Sequence, residues 1–227
     1  MHNDIVSKLG FSDAFRDMYF VDDLKVNDCK VLFILESPHK DEIVAKHPVA
    51  GSSGKAMAKI LSNSDILDKK YKNISFGNIA QNHESDFGIL NVCQIPLQPS
   101  AYCCHYLEKI LSDGDMLNLY SAFVLRSTEK CLNREFCSDT RCNKIKKIIL
   151  SDFERRLKNV GKETHLVACG KFADNYFGLL EQKVLQRFKD RCIRVPHPSY
   201  GNWSRERYAG IINEMIAIIK EKQEGVV

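Results

Sequence analysis

Long apolar runs are missing from this sequence: no stretch approaches the ~18 uninterrupted apolar residues that a membrane-spanning helix needs. Glycine and proline are sparse, at 12 and 6 of 227 residues, which excludes collagen-like and low-complexity chains. A large charge of one sign is missing as well. The 33 Lys and Arg against 29 Asp and Glu leave a formal net charge of +4, far below the dense basic charge of a protein that coats nucleic acid. The opening residues MHNDIVSKLG lack the basic start and apolar core of a signal peptide, so the protein is expected to be cytoplasmic and off the membrane.

Cysteine is the exception to this sparseness, but its pattern is not that of a staple. The count of nine is odd, and in a reducing compartment Cys29, Cys93, Cys169 and Cys192, each inside an apolar run, read as small buried thiols. Cys131, Cys137 and Cys142 are spaced C-x5-C and C-x4-C, with Cys103, Cys104 and His105 upstream. The tight C-x2-C hairpin that presents two thiolates to one ion is lacking, so no metal and no cofactor are expected. The Cys103-Cys104-His105 run also lacks a neighbouring oxyanion or positioning signal for thiol catalysis.

What is present is the material of an α/β core, 44% hydrophobic and 27% charged. Four short continuous apolar runs, 29–35, 88–95, 165–169 and 192–195, read as strands buried on both faces of a parallel sheet. Helical periods lie between them. Ala56, Ile60 and Leu61 mark one helix, Ile145, Ile148, Ile149, Phe153 and Leu157 a second, and Tyr208, Ile211, Ile212, Met215, Ile218 and Ile219 a closing one. The alternation predicts a three-layer α/β/α sandwich on a central four-stranded parallel sheet, in one domain over 1–227, with a helical insertion at about 102–161. A monomer is expected.

The insertion carries uneven charge. From Arg126 to Lys162 there are eleven Lys or Arg and five Asp or Glu, so a local basic surface sits on a chain that is otherwise slightly acidic. Such a face is either plain solvated surface or a contact for phosphates.

Chemistry in an open parallel sheet gathers at the carboxyl ends of its strands. The first strand here runs into Glu36-Ser37-Pro38-His39-Lys40-Asp41-Glu42, the second carries Asn91, the third ends in Cys169-Gly170-Lys171, and the fourth exits through Pro196-His197-Pro198-Ser199-Tyr200. The stretch Pro48-Val49-Ala50-Gly51-Ser52-Ser53-Gly54-Lys55 departs from a nucleotide-triphosphate loop at Val49 and Ala56. It still offers a small-residue helix start whose N–H groups, with Ser52, Ser53 and Lys55, suit an anion, or an N-cap alone. Trp203 reads as a core cap and only secondarily as a wedge into stacked bases.

Taken together and in their chain order, with Pro48–Lys55 between the first strand and Asn91, these five segments resemble the uracil-DNA glycosylase superfamily, nearest its acid-containing bacterial and archaeal branches. The resemblance implies a DNA glycosylase that hydrolyses the N-glycosidic bond of a flipped uracil or other damaged base, with DNA as a transient partner. It assigns Glu36 and His197 to catalysis, with Asp41 or Glu42 as alternatives for activating water. Asn91, Ser37, Pro38 and Val49 would contact the base. Gly51, Ser52, Ser53, Lys55 and Ser199 would contact phosphates.

The residue types suit that chemistry. Cleavage builds a cationic sugar and an anionic base, so a carboxylate near C1 and a donor at the base oxygen both help. An amide reads a uracil-like edge with one donor and one acceptor. Two departures stand out. Ser37 occupies the place of a water-activating Asp or Asn, and Val49 that of a base-stacking Phe. They leave room for a catalytically inactive member that binds nucleic acid or a nucleotide, or for a hydrolase of free nucleosides.

Overall fold

The computed structural model describes residues 4–82, 85–102, 118, 119, 121, 122 and 140–224. Much of the expected insertion, including Cys103, Cys104, His105, Cys131, Cys137, Arg126, Lys130 and Arg134, lies outside the described residues, and so does His83. The described elements run α1 (Ile5–Lys8), α2 (Asp13–Tyr19), β1 (Val31–Leu35), α3 (Lys40–Ala45), α4 (Ser52–Asn63), α5 (Phe76–Asn82) and β2 (Phe87–Asn91). They continue with α6 (Thr140–Leu157), β3 (His165–Cys169), α7 (Lys171–Gly178), α8 (Gln182–Arg187), β4 (Cys192–Val195) and α9 (Ala209–Glu224).

All four strands are parallel, in the order β2-β1-β3-β4. The continuous apolar runs explain this placement. Every residue of β1 and β2 is buried, and side chains alternate between faces: Leu32, Ile34, Leu90 and Leu166 join one core, while Val31, Phe33, Leu35, Ile89 and Val167 join the other. A helical layer covers each. On the first face lie the apolar stripes of α2, α6 and α7; on the second lie those of α4, α5 and α9. The result is the three-layer α/β/α sandwich that the sequence predicts.

Two details depart from the expectation. Arg194 in β4 is exposed although its run was expected to be buried on both faces, because β4 is an edge strand. In α4 the buried stripe is Gly54, Met57, Ala58 and Leu61, so Ala56 and Ile60 fall on its flank. The other edge strand, β2, is protected. Leu24 forms an antiparallel bridge to Ile89, with N···O distances of 2.8 and 2.9 Å, which closes part of an edge that would otherwise offer unpaired backbone groups.

Phe33 at the sheet centre packs its ring edge-on to Phe76 at 5.1 Å and lies 6.3 Å from the Trp203 ring. Trp203 is 3% exposed and donates its indole N–H to the Pro196 carbonyl at 2.7 Å. It caps the core, and in doing so it fixes the loop that follows β4.

The basic segment divides on inspection. Lys144 and Lys147 are exposed on α6, but Lys146 and Arg156 are buried, and Arg155 pairs with Asp152 at 2.9 Å. Part of the local charge is therefore spent inside the fold rather than offered to phosphates. Cys29, Cys93, Cys142 and Cys169 are buried free thiols, and Cys192 is half-buried. Among the described residues, no cluster of three or more His, Cys, Asp or Glu is placed to hold a metal, and no helix is long and apolar enough to cross a membrane.

Candidate active site

At the carboxyl edge of the sheet a cavity of about 440 Å³ is lined by residues from five segments, a size suited to a small ligand. Glu36 and Ser37 enter it from the end of β1, and Asn91 from the end of β2. His39, Asp41 and Glu42 come from α3 and its start, Gly51, Ser52 and Ser53 from the start of α4, and His197, Ser199 and Tyr200 from the turn after β4.

Asn91 is the central polar group. It is 2% exposed, and its carboxamide Oδ1 is buried with no hydrogen-bond partner among the described residues. Its side chain lies beside the Glu42 carboxylate and favours the charged form of that group. A buried acceptor left unmade costs about 1–3 kcal/mol. No donor among the described residues recovers that cost.

Glu42 sits at the third position of α3 because a helix start favours an acid there: its Oε2 accepts the His39 N–H at 2.7 Å, one half of a capping box. Its Oε1 accepts the Val49 N–H at 2.6 Å. Burial nevertheless pushes the Glu42 carboxyl up to about 7, outweighing the Val49, His39 and Asn91 contacts that favour the charged form. The group is thus poised near neutrality. Val49 has φ +57, a conformation rare for a β-branched residue. It is held there by Glu42 and by the Gly77 N–H on its carbonyl at 3.3 Å. Gly54 is obligatory beneath it, because a Cβ there would collide with the Val49 carbonyl oxygen.

His197 is positioned from two sides. Gly170, with φ +91, lies so close that a Cβ would stand 2.9 Å from the His197 Cβ, so the glycine turn after β3 exists to admit the histidine. The Ser199 N–H donates to Nδ1 at 3.2 Å, and the Ser199 hydroxyl lies 2.8 Å from the same nitrogen. With Nδ1 accepting, the neutral ring carries its proton on Nε2. The Asn202 amide donates to the His197 carbonyl at 3.0 Å.

Most expected site residues are brought together: Glu36, Ser37, Asp41, Val49, Gly51, Ser52, Ser53, Asn91, His197 and Ser199 all line the cavity. Pro38 is buried and Lys55 is exposed, and neither is among its lining residues. Ser37 is 8% exposed and its Oγ accepts the Leu97 N–H at 3.3 Å. Asp41 crowds the start of α4, where a Cβ on Gly51 would collide with its carboxylate.

Three lining residues carry more weight here than sequence reasoning gave them. Glu42 was one of several available acids, yet only its position beside Asn91 separates it from Asp41, and the capping spacing from His39 was the available signal. Tyr200 is 88% exposed with φ +55, followed by Gly201 at φ +64. A tyrosine held in the left-handed region at a cavity rim is strained. Gln98 also lines the cavity, in the polar stretch Pro96-Leu97-Gln98-Pro99-Ser100 through which the second strand exits.

A parallel α/β/α sandwich with its polar cavity at the carboxyl ends of the strands defines a broad class of α/β proteins that bind their ligands there. Within that class, the family model of the uracil DNA glycosylase superfamily matches residues 21–217, and the chain belongs to that superfamily. No curated protein matches the sequence.

Proposed function

We propose that the protein is a DNA glycosylase that accepts a uracil-like base flipped out of DNA and hydrolyses its N-glycosidic bond. The buried, unpartnered Oδ1 of Asn91 carries this reading. A uracil edge offers an N–H beside a carbonyl. Oδ1 accepts the first, and the Asn91 amide donates to the other. Cytosine presents an acceptor and a donor in those places and would leave Oδ1 unpaired, a strong basis for rejection.

His197 supplies a donor from Nε2 to the base oxygen on which negative charge develops. Glu36 orients or deprotonates the attacking water and faces the cationic sugar, with Asp41 as the second carboxylate on that side. Ser199, Ser52 and Ser53 contact the flanking phosphates. Tyr200 at the rim fills the gap left in the base stack.

Incubation of a uracil-containing duplex with excess protein, followed by strand scission at abasic sites, tests this. Excision by the wild type, with loss of at least about a hundredfold in Asn91→Ala, is the expected result. Tight binding without excision of uracil, hypoxanthine or xanthine would assign the chain to the inactive, DNA-binding alternative.

A further inference from the structure

Beyond the residues that line the cavity, Asn91 is held from behind. β2 is an edge strand, and β1 takes the backbone groups of alternate residues only: the Val92 N–H bonds to the Leu35 carbonyl at 2.9 Å, while Ile89 and Asn91 face away from the sheet. For Ile89 the missing neighbour is Leu24, whose backbone takes both its N–H and its carbonyl. One step further along, no backbone group among the described residues serves Asn91. Two charged side chains do so instead. The Asp23 carboxylate accepts the Asn91 N–H at 3.2 Å, and the Arg156 guanidinium donates to the Asn91 carbonyl at 2.7 Å and to the Val92 carbonyl at 2.7 Å.

We infer that Asp23 and Arg156 are positioning residues for the base-reading Asn91, a clamp of side chains standing in for the absent strand and fixing the direction of the Asn91 carboxamide. This inference rests on the reading of Asn91 given above. The clamp is itself rigid. Arg156 Nη1 binds the Asp23 carboxylate at 2.9 Å, Nε binds Asp152 at 2.9 Å, and Asp152 is held in turn by Lys8 at 3.0 Å. Arg156 therefore spends its planar fork on two carboxylates and two carbonyls, an arrangement a lysine cannot reproduce.

The need for such a clamp follows from the geometry of reading. Asn91 is the last residue of its strand, where backbone restraint fades, and a misplacement of about 1 Å in a substrate-orienting group costs about a hundredfold in rate. A plain ion pair that served only stability would need no contact with the Asn91 and Val92 carbonyls. On the side away from the active cavity, Asp23 and Arg156 border a second cleft of about 570 Å³ together with Lys46 and Gln94. Water entering there can solvate what a substitution leaves unpaired.

Four variants and two readouts test the clamp. Asp23→Ala removes the acceptor for the Asn91 N–H, Asp23→Asn restores an acceptor, Arg156→Lys keeps the charge but loses the fork, and Thr164→Val deletes a buried hydrogen bond to the Cys29 carbonyl, 2.7 Å long, without touching Asn91. The readouts are single-turnover excision from a uracil duplex and the Asn91 side-chain amide signal in ¹H–¹⁵N spectra, assigned by its loss in Asn91→Ala. Asp23→Ala and Arg156→Lys are expected to lower the rate at least tenfold and to shift or broaden the Asn91 signal, with duplex affinity unchanged. Asp23→Asn keeps one acceptor for the Asn91 N–H but sets an N–H against the Arg156 guanidinium, so it is expected to recover only part of the rate, and Thr164→Val is expected to change neither readout.

If folded Asp23→Ala and Arg156→Lys leave the amide signal in place and the rate within twofold, the clamp is overturned while the reading of Asn91 stands. If Asn91→Ala excises like the wild type, the reading itself falls. The amide signal judges the clamp even in protein that excises nothing.

Discussion

The Glu42 carboxylate lies beside the Asn91 side chain, which favours its charged form, and the same carboxylate accepts the backbone N–H groups of His39 and Val49 at 2.7 and 2.6 Å. One acid thus ties the end of β2 to α3 and to the strained turn before α4. Both backbone partners are donors. Glu42→Gln replaces one acceptor oxygen with a donor and sets N–H against N–H at one of these two contacts. The expected outcome is a loss of about ten- to a hundredfold in excision with little change in duplex affinity, measured by single-turnover kinetics and equilibrium binding.

The same residue predicts opposite pH trends for activity and stability. The Glu42 carboxyl is raised from 4.5 to about 7 by burial, so the folded chain binds this proton more tightly than the unfolded chain. Its contribution to stability is fully present below pH 4.5 and is lost as pH rises through about 7. The ionised carboxylate is the form that the two backbone donors and the Asn91 side chain favour, so excision is expected to rise through the same interval. Thermal unfolding and excision rates from pH 5 to 8, compared between wild type and Glu42→Gln, check both slopes; the variant should show neither contribution.

The sheet was legible in the sequence because a strand buried on both faces leaves a continuous apolar run, and β3 and β4 begin and end where their runs do. Strand ends were harder to place. The run expected to reach Ile95 stops as β2 at Asn91, although Val92 to Ile95 remain buried. Burial and strand geometry are separate properties, and an apolar run reports only the first. In the site, Asn91 and His197 were legible as polar residues where apolar strands end. The special role of Glu42 was not, since Asp41 and Glu42 are adjacent in sequence and only the helical turn of α3 directs one to Asn91. Asp23 and Arg156 were invisible, because a clamp between residues 133 positions apart leaves no local pattern.

The His197 ring is expected to lose little when its hydroxyl partner is removed. Ser199→Ala deletes the Oγ contact at 2.8 Å but keeps the Ser199 N–H on Nδ1 at 3.2 Å, so the proton stays on Nε2. Excision should fall less than about tenfold, against a loss of about 10² to 10³ for His197→Ala, which removes the donor to the developing anion. A larger loss in Ser199→Ala than in His197→Ala would reverse the assignment of roles.

Gly170→Ala should damage both fold and site. Its φ of +91 strains any side chain, and the new Cβ would press on the His197 Cβ at 2.9 Å. With ψ 165 the backbone lies in a region essentially restricted to glycine, where strain costs about 1–3 kcal/mol, and excision is expected to fall with the displaced ring. Gly178, at the end of α7, meets nothing within 4 Å and has no positive φ. Gly178→Ala should therefore be neutral or stabilising by up to about 1 kcal/mol, as denaturant unfolding of the two variants would show.

Tyr200 separates function from stability most cleanly. It is 88% exposed at the cavity rim and held at φ +55, so the fold gains little from its ring and bears the strain of its backbone. Tyr200→Gly relieves that strain, while the added freedom of the unfolded chain offsets part of the gain, and stability should change by no more than about 1 kcal/mol. A ring that fills the space left by a flipped base matters only where neighbouring bases are stacked in a duplex. Excision from double-stranded substrate is expected to fall at least about tenfold, in line with the energy of stacking one base on an aromatic ring, while excision from a single-stranded oligonucleotide changes far less. Equal losses on both substrates would place Tyr200 in the recognition of the base itself, and no loss on either would leave its strained backbone without a part in the reaction.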